Sequence, residues 1–318
     1  MHFDVFNGDA DGIIALVQLR LVEPKSSTLI TGVKRDINLV EKVSIEYAQS
    51  VTVLDISMEK NAPALTQLLN HDVDIFYVDH HRSGDIPNNE KLTAIIDTDA
   101  NTCTSLLINS YLDGQYAHWA VAAAYGDNML ASADKLASEL GLSSTEKSQL
   151  KALGIYINYN GYGRSVDDLH FSPDQLFLKL VKYENPLKLI GEDNSVFHQL
   201  ENAYNQDMAK AISANVLVDN EHCKAVELPD EAWARRVSGV FGNELANQSP
   251  KKAHIVFTIN TDKTYTVSLR APLHNKQGAG DICAEFPSGG GRAAAAGINK
   301  LPEEMINEFI KAVAQYYA

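Results

Sequence analysis

Cysteine is scarce in this chain, and nothing pairs it. Cys103, Cys223 and Cys283 are the only three, odd in number and without metal-type spacing. They read as reduced thiols of a cytoplasmic protein, packing groups rather than a disulfide framework or a zinc site. Long apolar runs are missing as well. Nothing approaches the ~18 consecutive apolar residues of a membrane span, so no membrane partner is expected. The opening Met1-His2-Phe3-Asp4 has no basic stretch leading into an apolar one, so no secretory leader is expected either. Cations are outnumbered: 27 Lys and Arg face 41 Asp and Glu, for a net charge of −14 and a pI near 5.1. Proteins that grip long nucleic acid present a basic face, because phosphate neutralisation supplies most of the affinity. The balance therefore argues against long nucleic acid as a partner. It leaves room for a small anionic substrate, since bound divalent cations invert the local field.

What is present suits a globular α/β protein of two domains: 318 residues, 45% hydrophobic and 21% charged. The first half alternates short β-rich runs with helical patterns. His2 to Phe6 reads as a strand and Ile13 to Val22 as a helix. Val51 to Leu54 is a strand ending in Asp55, Val73 to Val78 one ending in Asp79-His80-His81, and Ala94 to Ile96 one ending in Asp97. Such alternation predicts a doubly wound, mostly parallel sheet covered on both faces. Thr102 to Ile190 is mainly helical in pattern, which places the first domain at 1–190. A helical linker follows at 191–215, and a smaller α/β domain at 216–318. In that last part Cys223 to Leu228, Ala253 to Asn260 and Tyr265 to Arg270 read as strands, and Pro302 to Tyr317 as a closing helix.

The chemistry is expected where the carboxylates fall. Asp9 and Asp11 sit two residues apart on the turn that leaves the first strand, so both side chains can face one point. Asp55, Asp79, His80 and His81 lie at the carboxyl ends of other predicted strands, the edge where open α/β sheets bind ligands. Asp127, in Tyr125-Gly126-Asp127-Asn128, offers a further carboxylate. Taken singly, an Asp after a strand is most often a turn or cap residue, and paired histidines are most often surface or packing groups. Convergence of four segments on one rim is harder to explain by turn chemistry. Oxygen donors with one or two imidazoles suit Mn²⁺ or Mg²⁺. Two such ions sharing a carboxylate would activate a water and neutralise a phosphoryl group.

These segments, in this order, resemble the DHH phosphoesterases. Asp79-His80-His81 is that family's signature tripeptide, and Asn7-Gly8-Asp9-Ala10-Asp11-Gly12 resembles its first motif. Asp55 after an apolar strand resembles the second, and Gly126-Asp127 the fourth. Val267 to Arg270, together with Gly289-Gly290-Gly291-Arg292 and Ala295-Ala296-Gly297, look like the substrate-binding domain associated with that family. The resemblance implies two divalent ions, Mn²⁺ ahead of Mg²⁺. Asp9 would bind one, helped by Asn7, and Asp11 the other. Asp55 would bridge them, and His80 and Asp127 would complete the second. His81 and Asp79 would serve the chemistry at the scissile phosphate. Arg270, Gly289, Gly290, Gly291 and Arg292 would clamp the substrate; by residue type alone, the glycine run reads equally well as a tight turn before an alanine-rich helix. Two departures stand out. Asn7 replaces the family's usual His or Asp, offering one neutral oxygen, so the first ion would be held more weakly. Arg292 replaces a His and forks onto phosphate at least as well.

Among the family's activities, the resemblance favours hydrolysis of very short oligonucleotides, linear dinucleotides such as pGpG included, to mononucleotides. It is compatible with a homodimer. A pAp-type 3′-phosphonucleotide phosphatase is the enzymatic alternative, and a nucleotide-binding regulator with a weakened metal centre the non-enzymatic one. Tyr156, Tyr159 and Tyr162 beside Arg164 could stack on bases, although core packing explains them more simply.

Overall fold

The computed structural model describes residues 1–318, which divide into two compact units, 1–202 and 203–318. The first opens with β1 (His2–Phe6), α1 (Ala10–Val22), β2 (Thr28–Ile30), β3 (Ser50–Leu54), α2 (Met58–Asn70), β4 (Asp74–Asp79) and β5 (Leu92–Ile96). All five strands are parallel, in the order β2-β1-β3-β4-β5. Period-two alternation sends side chains to opposite faces. Phe3, Val5, Val51, Val53, Ile75 and Tyr77 pack in a core with Leu65 and Leu68 of α2. Phe6, Leu54 and Val78 join a second core with α1. Both faces are thus covered, as the strand–helix alternation predicts. The chain leaves β1 for β2 on one side and continues to β3 on the other. The crevice between β1 and β3 is therefore a topological switch point, where such sheets bind ligands.

Helices complete this unit: α3 (Thr104–Tyr111), α4 (Ala117–Gly126), α5 (Leu130–Glu139), α6 (Ser144–Asn160), α7 (Pro173–Leu180), α8 (Pro186–Gly191) and α9 (Val196–Ala211), the last running across the division between units. A capping box at Ser143 and Glu146 starts α6. The apolar helices α1 and α4 are buried almost throughout, as expected of central helices sandwiched between sheet and outer helices. One polar cluster lies inside this apolar layer. Arg20 donates to both Asp4 oxygens, and His2 and Ser27 bond the same carboxylate. Burial alone would raise the Asp4 carboxyl. Its bonds from His2, Arg20 and Ser27, with the Arg20 charge, outweigh that and hold it well below the usual carboxylate range.

The second unit contains β6 (Asn215–Asp219), β7 (Cys223–Leu228), α10 (Ala232–Gln248), β8 (Ala253–Ile259), β9 (Tyr265–Arg270), α11 (Ala279–Ala284), β10 (Gly289–Gly291), β11 (Ala295–Leu301) and α12 (Ile306–Tyr316). Its six-stranded sheet runs β10-β11-β9-β8-β7-β6, with only β7 and β8 parallel. On one face Ile255, Phe257, Val267 and Leu269 pack with Phe309 and Val313 of α12 and Ile282 of α11. Helix α10 packs against β8 and β9. The glycine–alanine run departs from the helix-start reading: it is a β-hairpin, with Gly290 opposite Gly297 and Gly291 opposite Ala296. Pairing with β9 on the far side overrides the helix propensity of alanine there. All three cysteines are buried and free, and no helix is long and apolar enough to cross a membrane.

His254, on β8, is fully buried, and neither ring nitrogen has a hydrogen-bond partner. Burial, with Lys224 and then Lys252 nearby, pushes its pKa down to about 4 from an ordinary 6.5. A depressed folded-state pKa means that the unfolded chain takes up the proton first. The stability held above pH 6.5 is therefore lost as pH falls toward 4. At pH 5 this group alone should cost about 2 kcal/mol relative to pH 7.5. Urea unfolding of the native chain and His254→Leu at both pH values checks this: the acid-induced loss should shrink by that amount in the variant. Equal losses in both would show that His254 does not contribute.

Candidate metal centre

Three strand ends and two helix ends deliver the site. Beyond β1, Asp9 caps α1: its Oδ1 accepts from the backbone N–H groups of Asp11 (3.0 Å) and Gly12 (3.1 Å). Asp11 lies in the first turn of α1, 1% exposed, with each oxygen held by a backbone amide at the start of α3: Thr104 at 2.8 Å and Ser105 at 2.7 Å. Asp55 follows β3 with φ +58°. That left-handed conformation costs most residues energy but is tolerated by Asp and Asn. It turns the carboxylate toward the rim, where Oδ1 accepts from the Thr104 hydroxyl (3.3 Å). His80 and His81 follow β4, and Asp127 caps the carboxyl end of α4.

These groups converge. His80 Nε2 lies 3.4 Å from Asp55 Oδ1, 3.8 Å from Asp11 Oδ2 and 4.0 Å from Asp127 Oδ2. Its Nδ1 lies 3.0 Å from the Thr102 carbonyl. A proton donated there leaves the Nε2 lone pair facing the carboxylates, the arrangement that prepares a histidine for a metal. His81 stacks edge-on against His80, and its Nδ1 is 2.7 Å from Asp79 Oδ1 and 3.7 Å from Asp55. Asp79 is fully buried, and its contact with Nδ1 positions the His81 ring. Burial, then the neighbouring Asp9 and Asp11 carboxylates, push the Asp55 carboxyl well above its ordinary value. Such a concentration of buried acids is costly without a cation among them. Two groups of donor atoms, Asp11–His80–Asp127 and Asp55–His80–His81, are each close enough to hold an ion, and they overlap at His80. Oxygen-dominated donors with a prepared imidazole fit Mn²⁺ or Mg²⁺.

Asp9 and Asn7 lie apart from those two groups. Asp9 Oδ2 is taken by the ammonium of Lys34, which also lies 3.4 Å from Asp127 Oδ1 and 3.3 Å from Asn158 Oδ1. Burial opposes that ammonium, but Asp9, Tyr162 and Asp127 around it hold its pKa well above the usual lysine value. Asn7 donates through Nδ2 to the Lys34 carbonyl (3.2 Å), and its buried Oδ1 has no partner. Sequence reasoning passed over Lys34. The signal was there: Gly32-Val33-Lys34 follows the short strand β2, whose carboxyl end lies on the same rim. Tyr159 and Tyr162 are buried, the Lys34 ammonium lies over the Tyr162 ring, and Tyr156 packs on Phe197.

The structure treats the expected clamp residues unequally. Arg270 is engaged within its own unit, donating to Asn243 Oδ1, Ser268 Oγ, and the carbonyls of Leu269 and Gly239. Gly289 to Gly291 are a strand and not an open loop. A Cβ on Gly289 would collide with the Cys283 carbonyl, and one on Gly291 would sit 2.5 Å from Ala296 Cα. These two glycines are thus required by close packing, whereas Gly290 faces open space. Arg292, half-buried, follows at the hairpin turn, its N–H bonded to the Ala295 carbonyl.

Residues 214–318 match the DHHA1 domain family. Three solved structures share the fold over nearly the whole chain. A DHH domain described as belonging to a member of a ribosomal-protein family is 16% identical with a TM-score of 0.64, covering 99% of this chain and 86% of its own. The exonuclease RecJ bound to manganese is 16% identical at 0.59, covering 99% and 90%. PggH of Vibrio cholerae, a pGpG-specific phosphodiesterase, is 15% identical at 0.56, covering 100% and 99%. The chain has the DHH phosphoesterase fold and ends in a DHHA1 domain. In this DHH fold the acids and histidines above occupy the carboxyl edge of the parallel sheet, and the Gly289–Leu301 hairpin belongs to the DHHA1 domain. No curated protein matches the chain.

Proposed function

We propose that this protein is a divalent-metal-dependent phosphodiesterase that hydrolyses very short oligonucleotides, linear dinucleotides such as pGpG among them, to mononucleotides. The observation that carries the reading is the convergence of Asp11, Asp55 and Asp127 on the prepared Nε2 of His80. The net charge of −14 speaks for a short substrate over a long one. The likeness of fold to a pGpG-specific phosphodiesterase over both whole chains agrees with it.

Asp11, Asp55, His80 and Asp127 would hold a divalent ion, which supplies Lewis-acid polarisation of a phosphoryl oxygen and a lowered pKa for water. The chain does the rest. Thr102 fixes the His80 tautomer, and the α3 amides fix both Asp11 oxygens. Asp79 orients His81, whose side chain is 33% exposed and therefore open to a substrate phosphate. In the DHHA1 domain, Arg292 would contact a phosphate, its planar fork being suited to bidentate binding.

A single assay tests the substrate class: pGpG, pAp and longer oligomers compared with Mn²⁺ present. Dinucleotides should turn over fastest, with rates falling as length grows. Faster release of phosphate from pAp would replace the reading with a 3′-phosphonucleotide phosphatase. Tight nucleotide binding without turnover at any metal concentration would replace it with a regulator.

A further inference from the structure

The donor atoms of this site split into two halves, and one half already holds a cation. On one side, Asp11, Asp55 and the Oδ2 of Asp127 surround His80 Nε2, with His81 beside Asp55. The two donor groups there share His80, whose Nδ1 is taken by the Thr102 carbonyl, so its one remaining nitrogen serves a single ion. On the other, Asp9 Oδ2, Asp127 Oδ1 and Asn158 Oδ1 surround the Lys34 ammonium. An ammonium has three donors and no acceptor, and these three oxygens match that number. Asp9 has no oxygen left over, because its Oδ1 serves two backbone amides. The lysine does not arrive there by chance of a flexible stem. Its own N–H donates to the Gly161 carbonyl at 2.8 Å, and its carbonyl accepts from Asn7. Asn7 therefore fastens the backbone that carries the ammonium and turns no ring or carboxylate toward an ion.

We propose that the Lys34 ammonium permanently takes the place of one of two divalent ions, so that the chain binds a single Mn²⁺ or Mg²⁺ at Asp11, Asp55, His80 and Asp127. Asp127 would serve both cations: its Oδ1 faces the lysine, and its Oδ2, on the His80 side, would help hold the ion. Lys34 is then a positioning residue. It neutralises Asp9, fixes the Asp127 carboxylate and keeps a second ion out. A compact ammonium suits this role, because it is a point charge of fixed valence on a stem that the fold can anchor. The inference rests on the metal-centre reading above and replaces the pair of ions implied by the family resemblance with one ion and one side chain.

Metal counting tests it without reference to turnover. The intact chain is titrated with Mn²⁺ by calorimetry, and the bound ion is observed by electron paramagnetic resonance. The native protein should bind one Mn²⁺ per chain with the hyperfine pattern of an isolated ion. Lys34→Ala and Lys34→Met should each bind a second, and their spectra should show exchange coupling between neighbouring ions. Two coupled ions in the native protein would overturn the proposal and leave the metal-centre reading intact. A single ion in the native protein and in both variants would also overturn it, since Lys34 would then not be what excludes the second. No Mn²⁺ bound by the native protein would sink both. The native count stands even if a variant fails to fold.

Discussion

Asp55→Asn should lower pGpG turnover by about a thousandfold or more, while the metal-free protein becomes no less stable. The two halves of that result have separate causes. A carboxylate that holds a divalent ion contributes several kcal/mol of charge stabilisation when phosphorus is attacked, and about 4 kcal/mol corresponds to a thousandfold. The amide keeps the shape and one oxygen but gives up the charge. Stability moves the other way, because Asp55 is 2% exposed among Asp9 and Asp11, which together with burial disfavour its ionised form. Asn also tolerates the φ of +58° that this position requires, so backbone strain does not confuse the comparison. Thermal unfolding separates the effects. The native protein should gain melting temperature when Mn²⁺ is added, whereas Asp55→Asn should start at least as high and gain little. A variant that keeps turnover within about tenfold, or that still gains the full Mn²⁺ shift, would remove Asp55 from the centre.

Much of this site was legible in the sequence because strands advertise their ends. An apolar run that stops at an acid, as Val51 to Asp55 does, gives both the element and the side of the sheet on which the acid falls. With a parallel sheet, several such ends share one rim. Asp79-His80-His81 is legible for the same reason. The division of labour among these residues was not. Whether Asp9 faces an ion or a lysine depends on contacts between positions 25, 93 and 124 residues apart in sequence, and no periodicity encodes them. Lys34 lies in irregular chain after a three-residue strand at the sheet edge, where hydrophobic patterning carries almost no signal. The hairpin of Gly289 to Leu301 was obscured for a different reason. Alanine favours helix intrinsically, and only the neighbouring strand β9, with Ala296 and Ile298 buried by alternation, makes it a strand.

Gly154→Ala should destabilise the protein by about 3 kcal/mol and weaken Mn²⁺ binding, although it adds a better helix former to a helix. Helices α4 and α6 approach so closely that a Cβ on Gly154 would collide with the Ala122 carbonyl and sit 2.8 Å from the Gly126 nitrogen. Gly126 faces the same crowding from the other side: a Cβ there would sit 2.7 Å from the Gly154 carbonyl oxygen and 2.6 Å from Ala10 Cβ. Alanine's propensity gains about 1 kcal/mol. Contacts against backbone cannot be relieved by a rotamer, however, so the helices must separate, and overpacking of this kind costs more than the propensity returns. The consequence reaches the metal centre through covalent geometry. Asp127 directly follows Gly126 on α4, and Asn158 lies one turn beyond Gly154 on α6. Parting the helices moves both residues, and with them two of the three oxygens around the Lys34 ammonium. Gly191→Ala provides the control, since a Cβ there meets nothing within 4 Å, and its effect should stay within about 0.5 kcal/mol. Urea midpoints and Mn²⁺ titration of the two variants decide the matter. If Gly154→Ala unfolds where Gly191→Ala does, and binds Mn²⁺ as the native chain does, then the close crossing of α4 and α6 is not what holds Asp127 in place.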